Sequence, residues 1–288
     1  MHLFKSTSCL LFACFSVCFL YLMKTMSSFG QEISRYKCVY QFDFLRDTLI
    51  KEFFRSENYI VQIGNNITKG FTYQKFYLDS LKKHAPDMYR KLFNASVQES
   101  IETMRRTGDV AAVRNNSFQY GAFSSDLYKD YKKNEIRVRD NISIHPFTFK
   151  DELKPQEWVI FEDTMRIVGY HSQKAVCNWR GRDWVAWFTP EIPISEGPWK
   201  FYGLPGLITK LHDTKKHYNF ELIAFQKIEE PIDTNIPREA QKTDRISFIK
   251  MKMNVTGGID LAKMDMAKVG INSDSETVNY DYIERDYK

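Results

Sequence analysis

Between Lys37 and Phe44 the chain alternates without a break. Cys38, Tyr40, Phe42 and Phe44 fall on one side, and Lys37, Val39, Gln41 and Asp43 on the other. A two-residue period separates these sets onto the two faces of a strand, whereas a helix would scatter them around its circumference. The inward set is aromatic, and aromatic side chains pack best on a pleated, half-buried surface. With 22 Phe, 16 Tyr and 5 Trp in 288 residues, a chain like this needs a broad sheet to receive them. The stretches ENYIVQIG (Glu57–Gly64) and KGFTYQKFYLDS (Lys69–Ser80) continue the strand pattern, and Asn65-Asn66 supplies a turn between them.

From Asp79 to Thr107 the alternation stops. Leu81, Met88, Leu92, Val97, Ile101 and Met104 recur at helical spacing, Asp79 or Ser80 offers an N-cap, and Pro86 divides the segment in two, with Asp87 near the start of the longer piece. Residues 108–134 are polar and turn-rich and read as a loop. Strands resume at Glu135–Ile144, Glu157–Phe161, Met165–Tyr170, Gln173–Trp179 and Asp183–Thr189, and Leu207–His212 with Tyr218–Ile228 makes a hairpin across DTKKH. Thr243–Met253 and Ile259–Met266 have helical character, and residues 271–288 read as a C-terminal tail. Strands and helices do not alternate as a parallel doubly wound sheet requires. The expectation is one α+β domain over residues 31–270: a strongly curved antiparallel sheet, open or half-barrel and bowl-like, with a helical insert at about 79–107.

The first thirty residues have a different character. Lys5 precedes an apolar run from Cys9 to Met23, and small residues Ser28 and Gly30 precede Gln31, which is the pattern of a secretory signal peptide cleaved after Gly30. The run is shorter than the ~20 residues that span a bilayer. A rival reading as a lipoprotein signal, from Leu11-Phe12-Ala13-Cys14, leaves too little apolar sequence upstream. The expected address is therefore outside the cytoplasm, in the periplasm or at the outer membrane. Cleavage would leave Cys38 and Cys177, either as one disulfide or as two buried thiols. The formal charge of +5 comes from 41 basic and 36 acidic residues dispersed along the chain. That dispersion argues against a nucleic-acid partner, which needs clustered basic residues.

Tyr170–Phe225 is the most distinctive stretch. It contains QKA at Gln173–Ala175, GR-x-W-x-AW-F-T-P-E-I-P-I-x-x-GP-W-K-F from Gly181 to Phe201, and the hexapeptide Gly203-Leu204-Pro205-Gly206-Leu207-Ile208. In these residues the chain resembles the GLPGLI family of exported Bacteroidetes proteins, and its N-terminal strands are similar as well. The resemblance implies an exported envelope protein and brings no activity with it. It also implies that a cysteine stands before QKA in many relatives, where this chain has Ser172; if that cysteine pairs with the one matching Cys177, Cys177 lacks its partner here. Physically, Leu204-Pro205-Gly206-Leu207 suits a type II turn, with Pro at the second position and Gly at the third. Pro190, Pro193 and Pro198 make the preceding residues an extended crossover outside any central ladder.

Arg180 and Arg182, with Trp184, Trp187, Trp199 and Tyr202 close in sequence, form an Arg–aromatic set able to hold an anionic or stacking ligand. These six are the candidate ligand-binding residues. Glu191 and Glu196 could in principle serve as an acid–base pair. His212 and His217 bracket a turn without an evident third metal ligand. The Met251/Met253 and Met264/Met266 pairs suit helix packing better than soft-metal ligation. Phosphate-binding loops, CxxC pairs, HExxH and nucleophile elbows do not occur in the sequence, and no cofactor or metal is expected. The resulting expectation is a non-catalytic envelope module that binds an apolar or amphipathic ligand, or a partner such as an outer-membrane transport component. The alternative is a hydrolase built on Arg180, Arg182, Asp183 and Glu191, which requires those side chains to converge.

Overall fold

The computed structural model describes residues 32–45, 54–107, 125–142, 145–235, 239–256 and 282–287. The signal-like segment, residues 108–124 of the stretch expected to be loop, and Ile259–Met266 lie outside the described residues.

The described chain is mostly β. Its strands are β1 (Ile33–Leu45), β2 (Phe54–Ile63), β3 (Ile67–Thr72), β4 (Asp126–Asp130), β5 (Glu135–Ile142), β6 (His145–Glu152), β7 (Val159–Ile167), β8 (Tyr170–Trp179), β9 (Arg182–Thr189), β10 (Leu207–Asp213), β11 (Tyr218–Pro231) and β12 (Gln241–Lys242). All twelve join one open sheet in the order β12-β6-β5-β4-β3-β2-β1-β11-β10-β9-β8-β7. The short β12 pairs parallel to β6, and every other pairing is antiparallel, so the sheet is mixed.

The alternating segment sits at the middle of the sheet, with β1 paired to β2 on one side and to β11 on the other. Its inward aromatics meet those of its neighbours. Phe42 stacks on Phe220 at 4.1 Å and beside Phe44 at 4.9 Å, and Tyr59 meets Phe220 edge-on at 5.5 Å. Such pairs add to the stabilisation that area burial alone provides.

Among the described residues three helices accompany the sheet: α1 (Tyr73–His84), α2 (Pro86–Thr107) and α3 (Arg245–Thr256). The first corrects the sequence expectation, because the strand ends at Thr72 and the helix begins six residues earlier than Asp79. Thr72 is extended and its hydroxyl accepts from Lys75 N at 3.4 Å, an N-cap that the strand-like FTY pattern concealed. Pro86 opens α2 at the first helical position, where its missing N–H costs nothing.

Three strands were not legible: β4, β6 and the two-residue β12. Asp126–Asp130 was expected to be loop, yet all five of its residues are buried because its charges are paired inside the protein. His145–Glu152 carries Pro146 near its start, a position a strand tolerates. Glu157–Phe161 and Met165–Tyr170 are parts of one strand, β7, with an irregularity between Ile160 and Thr164.

One contact reports how the sheet is arranged in space. β6 and β8 are nine intervals apart in the sheet order, which is about 43 Å in a flat sheet at ~4.8 Å per strand. Arg180, immediately after β8, nevertheless reaches Asp151 of β6 at 2.9 Å. No helix among the described residues is long and apolar enough to cross a membrane.

Candidate functional site

The segment from Pro190 to Gly206 joins none of the sheet's ladders and carries one internal bridge, between its own Glu196 and Tyr202. It is pinned by short-range backbone bonds, Ile194 N to Ile192 O at 2.7 Å and Glu196 N to Ile194 O at 2.8 Å. The hexapeptide turns differently from the expected type II form. Gly206 N donates to Leu204 O at 2.8 Å, closing a three-residue turn around Pro205, while Leu207 N donates to Ile192 O at 3.0 Å. Gly206 has φ +153°, and a Cβ there would stand 2.1 Å from Thr189 O. Only glycine permits that approach. Leu204, Leu207 and Ile208 are buried.

Beneath the crossover lies an ion pair taken fully out of solvent. Lys129 of β4 donates to Glu196 Oε2 at 2.5 Å and to the carbonyl of Phe201 at 3.1 Å. The other carboxylate oxygen accepts from Thr68 Oγ1 at 2.5 Å and from the Tyr131 hydroxyl. Burial, then the adjacent carboxylate charge, push the Tyr131 phenol far above its ordinary value, so it stays a donor. Both carboxylate oxygens of Glu196 are engaged, by three donors in all, which is the condition under which a buried charge is tolerated. Glu196 is thus a structural clamp between crossover and sheet. Glu191 is exposed and accepts from the backbone N–H of His171 at 2.7 Å. The two glutamates have separate partners, one in solvent and one buried.

The six Arg–aromatic residues occupy different depths. Arg180, in the β8–β9 turn, is half-buried and pairs with Asp151 and Asp286, both at 2.9 Å. Arg182 is 3% exposed, and all three of its nitrogens are engaged: Nη1 with Asp213 at 3.0 Å, Nε with Ile283 O at 2.9 Å and Nη2 with Tyr282 O at 2.7 Å. Trp184 and Trp199 are buried, and Trp184 packs on Phe201 at 4.6 Å. Tyr202 is buried against Tyr131, and Trp187 is half-buried on β9. The structure therefore gathers Arg180, Arg182, Trp184 and Trp199 around the core rather than around a cleft. Two open grooves, of about 590 and 400 Å³, lie elsewhere. One is lined by residues of β1 and β11 such as Tyr36 and Lys227, the other by Asp43, Lys210 and His212.

The hydrolase set does not converge. Arg182 opens β9 and Glu191 lies two residues past its end, so the strand alone separates them by roughly 23 Å at ~3.3 Å per residue. Asp183 is exposed and accepts from Asn178 at 2.8 Å. Among the described residues no three His, Cys, Asp or Glu side chains cluster as a metal site would require. Cys38 and Cys177 are free, buried thiols; burial raises both, Cys177 to about 12, so neither is a ready nucleophile. Ser172 and Cys177 are five residues apart along β8, about 16 Å. A cysteine at position 172 could not bridge to 177 in this geometry.

Sequence reasoning missed the acidic partners of this region. Lys200 is fully buried and pairs with Asp151 at 2.7 Å and Glu284 at 2.6 Å, while Arg245 of α3 pairs with Glu284 and Asp286, each at 2.7 Å. Burial alone would raise Asp286, yet hydrogen bonds from Arg245 and Arg180 hold its carboxyl below the usual range. Glu284 and Asp286 fall in the stretch read as a tail, where Tyr282 and Ile283 are in fact buried in the core. The apolar-acidic pattern Tyr-Ile-Glu was the only signal available.

Comparison with known proteins adds little beyond this geometry. A protein-family model described as "Protein of unknown function (Porph_ging)" matches residues 180–210, the β8–β9 turn through the hexapeptide. No curated protein matches in sequence. Two solved structures of PNGF-II, in the P21 and C2 space groups, are similar over 76% of this chain, with 17% and 16% identity and TM-scores of 0.45 and 0.46. The matched region amounts to about a third of those longer chains, 33% and 32%. The segment most similar to a known family is thus the buried crossover, and that family is one of unknown function.

Proposed function

We propose that the protein is a non-catalytic binding module of the cell envelope that engages a partner protein through the free edge of its sheet. The observation that carries this reading is β7. It is the last strand of the sheet, its residues are exposed on both faces as far as Arg166, and it presents Val159, Ile160, Phe161 and Met165 to solvent. An exposed apolar edge invites pairing by an added strand, a recurring mode of peptide recognition. The candidate Arg–aromatic residues favour the partner reading over the small-ligand one, because the Arg180 and Arg182 guanidiniums are engaged internally and the rings of Trp184, Trp199 and Tyr202 are buried. The export signal supports an envelope location. A bowl-like, half-barrel form of the sheet accounts for the meeting of Arg180 and Asp151 and leaves β7 outside the filled interior.

The test is affinity capture from the native envelope with the mature protein and with an Ile160→Lys/Phe161→Lys variant, each followed by native mass spectrometry before and after denaturation. The expected result is a stoichiometric protein partner recovered by the wild type and lost from the folded variant. A lipid or small molecule released only on denaturation, with equal protein recovery by both, would overturn the edge reading in favour of a carrier.

A further inference from the structure

The turn Arg180-Gly181-Arg182 does more than connect two strands: it grips the main chain of a segment a hundred residues away. Arg182 donates to two consecutive carbonyls, Tyr282 O at 2.7 Å and Ile283 O at 2.9 Å, and Arg285 N donates to Arg180 O at 2.8 Å. Main-chain contacts at successive residues are the way an extended peptide is read. The Arg182 guanidinium is itself fixed, by Asp213 at 3.0 Å and by stacking over Tyr218 at 4.9 Å. Gly181 has φ +73°, and a Cβ there would come within 3.0 Å of the Arg285 Cβ, so the turn makes room for the passing chain.

Side chains supply selectivity. Ile283 is fully buried and Tyr282 nearly so. Glu284 meets Lys200 and Arg245, and Asp286 meets Arg180 and Arg245. The cradle holds four cations, Arg180, Arg182, Lys200 and Arg245, against two carboxylates of its own, Asp151 and Asp213. It is left with two positive charges, and the segment brings two carboxylates, Glu284 and Asp286, with Arg285 between them, for a net charge of −1 over residues 282–287. Lys200 is fully buried and Arg245 largely so, and removing the carboxylates that meet them is costly, which favours a peptide with acidic side chains at those two positions.

We infer that this cradle is a recognition site for a short peptide of the pattern Tyr-Ile-Glu-x-Asp, filled here in cis by the chain's own residues 282–287. Twenty-five residues, 257–281, lie between α3 and that segment in the sequence, so the cradle and its peptide belong to one covalent chain. That connection raises the local concentration of the peptide and biases the site toward cis occupancy without altering its chemistry. This inference does not depend on the β7 reading.

The experiment uses the full chain with a protease site inserted between Ser275 and Glu276, cleaved after folding. Native mass spectrometry then asks whether the 276–288 fragment stays bound and whether an isotopically heavy copy of it exchanges in. The expected result is a retained fragment that exchanges with the heavy peptide, while a heavy peptide carrying Glu284→Gln and Asp286→Asn competes at least about tenfold more weakly. A scrambled peptide should not exchange. Unfolding of the cleaved chain, retention with no exchange over days, or release with no rebinding would each overturn the inference, because each makes the segment an integral part of the core rather than a ligand.

Discussion

The crossover and the β7 edge invert the usual placement of charge and grease. Under the crossover, Lys129, Glu196, Lys200 and Arg182 are withdrawn from water, each held by several partners. At the edge, Val159, Ile160 and Phe161 stand in solvent. Buried, satisfied charges fix one arrangement, because any slip leaves an ion without a partner. Exposed apolar residues fix nothing in the isolated chain and gain only when something covers them. The crossover is therefore built for rigidity and the edge for association.

The sharpest way to break this contrast is to unpair the clamp. Glu196→Ala should destabilise the fold by about 3–5 kcal/mol in urea denaturation. Adding Lys129→Met should recover part of that loss, because the orphaned charge is then gone. A small effect from the single change would mean that water reaches the pair and that the crossover is not a lock.

Gly206→Ala comes next, at about 2–3 kcal/mol, since the new Cβ must be relieved of its clash with Thr189 O at a backbone angle disfavoured for alanine. Thermal melts would show it, and an unchanged melting temperature would sink the tight-turn account.

Glu57 tests the border between the two regimes. It sits on β2 opposite Phe42, with one carboxylate oxygen buried and unpartnered, and burial raises its pKa to about 7 despite a hydrogen bond from Thr72 and the charge of Arg55. An acid whose folded pKa is raised keeps its proton more tightly in the native state. Stability should therefore fall as pH rises from about 4.5 to 7, the loss being complete above 7. Glu57→Gln should flatten that slope and stabilise the protein by roughly 1–2 kcal/mol at pH 8. A variant with the wild-type pH profile would show that Glu57 is solvated.

The smallest expected change in stability is at the edge. Ile160→Lys/Phe161→Lys should stay within about 0.5 kcal/mol of wild type, while abolishing any partner binding. A large loss of stability would place β7 in the core and erase the contrast.

Much of the sheet was legible. Tyr40, Phe42 and Phe44 face inward as their alternation requires, and the hairpin of β10 and β11 follows its turn signal. Of the strands that escaped, β4 has the sequence Asp-Leu-Tyr-Lys-Asp, and nothing local distinguishes it from a loop. It is a strand because Glu196 and Lys75, remote in sequence, neutralise Lys129 and Asp126. The start of α1 was hidden for a related reason: Phe71 and Tyr73 alternate like a strand, and only the Thr72 cap ends it.

The candidate site was legible as a set of residues and not as a set of roles. Arg180, Arg182 and the tryptophans were found, yet the arginines' partners Asp151, Asp213, Asp286 and the carbonyls of Tyr282 and Ile283 come from β6, β10 and residues 282–286. Hydrophobic period and turn chemistry act between neighbours, so the sequence by itself determined where strands run, where the crossover leaves the sheet and which rings face inward. Which charges are buried, and what they hold, depends on partners a hundred residues distant meeting in a low-dielectric interior, and only the tertiary structure decided that.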